Sequence, residues 1–574
     1  MAVQTGKIES INGNLIGVLF DSYVRQNEVA YAVRGEERLK AEVIRIRGNK
    51  AELQVFEDTA GLKRGDRVEF TGQLLSVQVG PGLLGMTYDG LQNPLNKLAD
   101  AHGVFLKRGI SLPPLDGSKS WTFEPLMVEG DTVRAGDWLG WVQEGLFEHK
   151  IMVPFHFRGA YTIHSLVQKG QYKIDDTVAV LKGEDGFDHL VTMSFDWPVK
   201  LSVEAFQERL MPEEPLVIGT RAIDTFFPVV KGGTFCIPGP FGAGKTVLQH
   251  ITSRHATVDI VIVAACGERA GEVVELMQEF PELIDPRTGR SLMERTIVIC
   301  NTSSMPTAAR EASVYTGVAL GEYYRQMGLD VLVLADSTSR WAQALREMSG
   351  KLEEIPGEEA FPAYLESRIA AFYERAGVVK LNNGETGTLS IGGTVSPAGG
   401  NFEEPVTQST LKVVGAFHGL SKARADARRF PSIDPLESWS KYQGVVDPQR
   451  VATVRAMMKS ADEIRQMMTV VGEEGVSLDD FILYLKAELL DSVYLQQNAF
   501  DDVDSYCSEE RQKYVFNLLS DLLVAKSAVT AKEDARSFFN QLRQAFVDWN
   551  YLAWDSDEFR AKEAEITELL ASGN

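Results

Sequence analysis

The run Gly239-Pro240-Phe241-Gly242-Ala243-Gly244-Lys245-Thr246 has the composition and spacing of a phosphate-binding loop. Its glycines let backbone N–H groups converge on phosphate oxygens, and a helix opening at its end adds the positive end of the helix dipole. Lys245 can reach the β- and γ-phosphates of a nucleoside triphosphate, and the Thr246 hydroxyl can ligate Mg²⁺. Residues 234–237 read as the strand before the loop, and the stretch from Val247 to residue 255 as the helix after it. A glycine-rich turn without a ligand is the plain alternative. Chance matches to eight such positions arise only about a few per cent of the time in a chain of this size.

Two carboxylates decide between binding and hydrolysis. The apolar strand at 258–265 runs into Cys266-Gly267-Glu268-Arg269, which puts Glu268 at a strand's C-terminal edge, where ligands bind in open α/β sheets. A carboxylate there can orient and polarise the water that attacks a γ-phosphate. Asp336 ends the apolar run Val331-Leu332-Val333-Leu334-Ala335, the pattern that places a carboxylate near Mg²⁺, directly or through water. Alone, Glu268 reads as a solvated loop residue and Asp336 as a common strand-ending aspartate. Together with the loop they make a hydrolytic site.

These residues need a parallel sheet to hold them, and the texture from about 200 to 440 supplies one: apolar strands alternate with amphipathic helices. Residues 1–75 read instead as short, evenly spaced strands (14–20, 28–33, 40–46, 51–55 and a turn-strand at 64–70), the pattern of a small closed barrel. A second β-rich block spans 110–190, where the stretches 128–133 and 167–172 share a glycine-containing texture that suggests an internal repeat. Beyond about 445, Leu, Ala, Glu and Lys at helical spacing predict a helical bundle. The expected division is 1–75 for the barrel, 110–190 for the insertion, 76–109 with 191–440 for the nucleotide-binding domain, and 441–574 for the helices.

With 574 residues, 44% hydrophobic and 24% charged, the chain is long enough for three or four domains of ordinary globular composition. A net charge of -22 speaks against a nucleic-acid partner. No apolar run approaches the roughly 18 residues of a membrane span, and the first residues lack a signal pattern. Cys236, Cys266, Cys300 and Cys507 are too scattered for a metal site, and three of them sit in or beside apolar strands. The expectation is a cytoplasmic protein that reaches any membrane through partners.

From the phosphate loop through Gly267-Glu268-Arg269, the chain resembles the catalytic A subunits of V/A-type rotary ATPases. Asp336-Ser337-Thr338-Ser339-Arg340-Trp341-Ala342, Phe361-Pro362-Ala363-Tyr364-Leu365 and Ser396-Pro397-Ala398-Gly399-Gly400-Asn401-Phe402 extend the match. The β-rich block, with Gly136-Asp137-Trp138-Leu139-Gly140, is similar to an insertion that F-type catalytic and flagellar-type export subunits lack. The resemblance implies a multidomain chain: an N-terminal β-barrel, a β-rich insertion, a P-loop α/β domain of RecA type and a C-terminal α-helical bundle. It implies Glu268 as the catalytic carboxylate, Arg269 as an organiser of the phosphate site, Ser337 and Arg340 nearby, and ATP or ADP with Mg²⁺ as ligands. Phe430, in Arg429-Phe430-Pro431-Ser432, matches an aromatic that packs on adenine, and Phe500 its companion across the base; core packing is the alternative for both.

Three copies would alternate with three non-catalytic B-type subunits, each site completed by a neighbour's arginine. Central-stalk and peripheral-stalk subunits would link this ring, on the cytoplasmic face, to an H⁺- or Na⁺-translocating membrane sector. Many eukaryotic members have Cys where Ala243 stands, so their redox switch is not expected. Phe417-His418-Gly419-Leu420-Ser421 departs from the tryptophan-containing version and points to a bacterial member. A homohexameric export ATPase and a regulatory subunit that only holds ATP are the rival readings.

Overall fold

The computed structural model describes residues 4–102, 108–184, 186–303, 305–527 and 529–573. The chain forms two compact units. One comprises Met1–Met211, Val258–Val395 and Glu403–Val413; the other Pro212–Thr257, Ser396–Phe402 and Val414–Asn574.

The first unit begins with a closed six-stranded barrel built from Gln4–Asn12, Leu15–Phe20, Glu28–Arg34, Glu37–Arg47, Lys50–Val55 and Arg67–Leu74, in the order first, second, fifth, fourth, third, sixth. Alternating inward residues, among them Ile16, Val18, Leu39, Val43, Leu53 and Val68, fill it. The first strand had no apolar signal in the sequence because most of its side chains face solvent. Pairing on both sides holds it, Gly6 opposite Phe20 on one edge and Val68 on the other.

The β-rich insertion folds into two four-stranded antiparallel sheets. Phe147–Met152, Trp138–Glu144, Ser120–Pro125 and Gly170–Lys173 make one; Thr132–Val133, Tyr161–Leu166, Thr177–Lys182 and Asp188–Thr192 make the other. The stretches 128–133 and 167–172 lead into different sheets. What recurs is a turn: Asp66, Asp131, Asp137 and Asp176 each accept, through the side chain, the backbone N–H three residues earlier, at 2.7–2.9 Å. That local closure gives glycine-rich turns a common look.

The same unit carries a parallel sheet in which Thr386–Val395, Asp330–Asp336, Ile260–Glu268, Thr296–Thr302 and Thr87–Tyr88 are successive neighbours. Ile260–Glu268 and Asp330–Asp336 carry near-continuous apolar runs because both faces of the sheet are covered. The helix Thr307–Arg325, buried along all 19 residues, packs on this sheet.

In the second unit, the strand Thr234–Pro238 pairs in parallel with Ala416–Phe417, which pairs antiparallel with Trp439–Ser440. The C-terminal helices are Pro448–Val471, Leu478–Leu490, Glu509–Val524, Lys532–Asn550 and Asp557–Gly573. Asp447, Ser477 and Ser508 cap the first three by accepting backbone N–H bonds.

Candidate nucleotide site

The candidate residues fall into two sets, one in each unit. In the second unit, Thr234–Pro238 delivers the chain into the phosphate loop, and Gly244, at φ +88°, caps the helix Lys245–His255. Gly242 also has positive φ, a conformation open to glycine without strain. At Gly239 the need is spatial, since a Cβ would meet the Leu420 side chain at 2.7 Å. Lys245 Nζ donates to the carbonyls of Gly239 at 2.8 Å and Pro240 at 3.0 Å, so its ammonium lies over the loop. Thr246 is exposed and Val247 half-buried in the helix's first turn, and Phe241 is exposed.

The Ala243 carbonyl accepts the Ser432 hydroxyl, which ties the loop to the segment carrying Phe430. Phe430 is half-buried, and its carbonyl accepts the backbone N–H of Gln497 at 2.7 Å. Three residues further on, Phe500 is 89% exposed, so it is no core residue of this chain. The phosphate loop, Phe430 and the Phe500 segment are therefore joined by hydrogen bonds inside one unit. Ser432 and Gln497 gave no signal of their own in the sequence, because their roles depend on partners far along the chain.

In the first unit, Glu268 ends the strand Ile260–Glu268 and Asp336 ends its parallel neighbour, with Ala265 in register with Asp336. A β-bulge interrupts the pairing with Thr296–Thr302 between Cys266 and Glu268. Gly267 supplies it at φ +71°. Such a bulge re-aims the following side chain. Burial, then the Asp336 charge, then the carboxyl of Glu272 push Glu268 up to about 8, against the opposing pull of Arg340. Thr394 donates its hydroxyl to Asp336 Oδ1 at 2.5 Å. Ser337 caps the helix Thr338–Lys351 by accepting the Arg340 N–H, which sets Arg340 in that helix's first turn. Arg269 is exposed and stands at the N-cap of Ala270–Glu282. The sequence carries no local sign of the Glu272 and Thr394 contacts; Gly267 is the one local sign of the bulge.

A carboxyl ionising near 8 beside a second carboxylate at strand ends can accept a proton from water. A glycine-rich loop with an inward lysine can cradle phosphates. This is the chemistry of a nucleoside triphosphatase. Four family models match in sequence: the ATP synthase alpha/beta family β-barrel domain at 8–72, its barrel-sandwich domain at 112–200, its nucleotide-binding domain at 219–440, and the C-terminal domain of V and A type ATP synthases at 448–535. The fold is thus that of an ATP synthase alpha/beta subunit with the V/A-type additions.

The relatives narrow this. The V-type ATP synthase alpha chain of Treponema denticola is 62% identical over 571 residues, covering 100% of this chain and 97% of the relative. V-type ATP synthase alpha chain 1 of Treponema pallidum is 61% identical over 99% of this chain and 97% of the relative. The V-type ATP synthase alpha chain of Borreliella afzelii is 60% identical over 98% of each. The chain belongs to the V-type ATP synthase alpha chains, the catalytic chains of the V-type rotary ATPases.

Proposed function

We propose that this chain hydrolyses, or in reverse forms, ATP at sites it shares with a non-catalytic B-type subunit, in a ring coupled through central-stalk and peripheral-stalk subunits to H⁺ or Na⁺ transport. The observation that carries the reading is Glu268: a half-buried carboxyl, re-aimed by a bulge and ionising near 8 beside Asp336, in a chain that also holds a complete phosphate loop. In its ionised form Glu268 orients water and takes its proton as the γ-phosphate bond breaks. Lys245 and the loop's backbone N–H groups draw charge off the phosphate oxygens, Arg269 organises the phosphate site, and Phe430 and Phe500 enclose adenine.

Thr246 and Asp336 offer hard oxygens, the donor type Mg²⁺ prefers, with Thr246 exposed at a helix start and Asp336 at a strand end. Each is a candidate ligand, directly or through water, and the chemistry the ion would supply is neutralisation of phosphate charge. Among the described residues no helix is long and apolar enough to cross a membrane. The peripheral position on the cytoplasmic face is part of the same proposal and follows from the family, not from that absence.

ATP turnover of the purified chain, alone and mixed with the B-type subunit, tests this. Strong activation on mixing, with a hexamer-sized species, is expected. Full activity of the chain alone as a homohexamer would replace the hetero-oligomeric reading with that of an export-type ATPase, and ATP binding without turnover in either case would leave only a regulatory role.

A further inference from the structure

Arg221 is 1% exposed, and each of its three guanidinium nitrogens donates to a group between Tyr494 and Asp504. Nε donates to the Tyr494 carbonyl at 3.1 Å, Nη2 to the Gln496 carbonyl at 2.7 Å, and Nη1 to Asp504 Oδ1 at 2.6 Å. The other Asp504 oxygen accepts the Asn498 N–H at 2.6 Å, which closes residues 498–504 into a compact turn with Phe500 near its tip. The Arg221 backbone N–H donates to Gln497 Oε1 at 2.9 Å, and Gln497 Nε2 donates to the Gly219 carbonyl at 2.9 Å. The Gln497 backbone N–H holds the Phe430 carbonyl, and Ser432 holds Ala243 of the phosphate loop.

These bonds form a ring. It runs from the phosphate loop to Phe430, on to Gln497, and back to residues 219–221, which lead through the helix Arg221–Phe226 and the strand Thr234–Pro238 into the same loop. A buried charge is costly to keep and is weak evidence for stability. Here it fixes a loop whose aromatic side chain stands in solvent, which packing alone does not require.

We propose that Arg221, through Asp504 and Gln497, is a positioning residue for the base of the nucleotide: it sets the Phe500 turn at a fixed distance from the phosphate loop. The proposal rests on the reading that Phe430 and Phe500 enclose adenine. Its consequence is selective. Loosening Arg221 should weaken ligands that carry a base and spare those that are only phosphate.

The test is calorimetric titration of the full-length chain with MgATP and with magnesium tripolyphosphate. Asp504→Asn preserves shape but turns an amide donor toward the Asn498 N–H; Arg221→Lys preserves charge but loses the fork, and serves if the first variant folds poorly. Both are expected to weaken MgATP on the order of tenfold, the scale of one base–aromatic stack, and to leave tripolyphosphate unchanged. Phe500→Ala should match them, and adding Asp504→Asn to it should cost little more. Equal weakening of both ligands would make Arg221 merely structural, and unchanged MgATP binding would also overturn the proposal. If instead Phe430→Ala and Phe500→Ala bind MgATP as the unaltered chain does, the adenine reading itself is what fails.

Discussion

Glu268 ends a strand whose parallel neighbour ends at Asp336, and after burial it is the Asp336 charge that most raises the Glu268 carboxyl, to about 8. Only the ionised form can take a proton from water, so kcat/KM for ATP should climb with pH through about 8 and level above it. Glu268→Gln should keep ATP binding, lose turnover by about 10²–10⁴-fold and flatten the profile. Asp336→Asn removes a like charge, so its residual activity should rise at lower pH than that of the unaltered chain. A flat profile from about pH 6 to 9 in the unaltered chain would deny Glu268 the role of base.

The second pH effect concerns stability. His418 is fully buried, its Nε2 bonded to the Phe227 carbonyl at 2.8 Å, and burial drives its imidazole down to about 4. The folded state therefore favours the neutral ring. The stability this confers is complete above the unfolded value near 6.5 and is lost as pH falls through about 4. Urea unfolding at a series of pH values should show the chain weakening by roughly 2–3 kcal/mol across that window, at up to one proton's slope. His418→Gln keeps a donor for Phe227 but cannot titrate, so its curve should lack this component. Parallel curves for the two proteins would refute it.

How much of this could be read beforehand depends on where each partner lies in the chain. The phosphate loop is spelled by contiguous residues, and its strand and helix are local, so sequence was enough. The strands ending at Glu268 and Asp336 were legible because parallel strands covered on both faces are unbroken apolar runs. The Gly267 bulge was not, since a bulge is a mismatch against a partner strand, here Thr296–Thr302. Thr394 on Asp336, Gln497 on Phe430 and Arg221 on Asp504 are long-range pairs that no local pattern announces. The first barrel strand was missed for a different reason: it is mostly solvent-facing, so period-2 hydrophobicity is almost absent.

The insertion is fastened to the helix Thr307–Arg325 by a buried chain. His149 Nδ1 bonds Glu144 Oε2 at 2.5 Å and His149 Nε2 bonds the Tyr323 hydroxyl at 2.7 Å, while Glu144 Oε1 also accepts the N–H groups of Gly82 and Leu84. His149→Ala leaves a buried carboxylate oxygen and a buried hydroxyl without the imidazole, at a cost of roughly 3 kcal/mol. Urea denaturation should show that loss. A change below about 0.5 kcal/mol, the scale of an ordinary surface substitution, would mean the contact is not structurally important.

Gly267 joins fold and chemistry most directly. At φ +71° it lies where an L side chain is strained by about 1–2 kcal/mol, and a Cβ there would meet Arg340 Cβ at 3.1 Å and Arg310 Cδ at 3.3 Å. Gly267→Ala must therefore displace Arg340, the residue whose charge opposes the upward shift of Glu268, and tilt Glu268 itself. Turnover should fall about tenfold or more, the scale on which small misplacements act, with the KM for ATP nearly unchanged because the substitution leaves residues 239–246 as they are. The climb of kcat/KM with pH should also move upward, since Glu268 loses a stabilising cation. Steady-state kinetics across pH separate the alternatives. A lower melting temperature with kcat and pH profile intact would make the bulge a feature of the fold only, whereas the combined loss of rate and upward shift would show that it aims the Glu268 carboxyl.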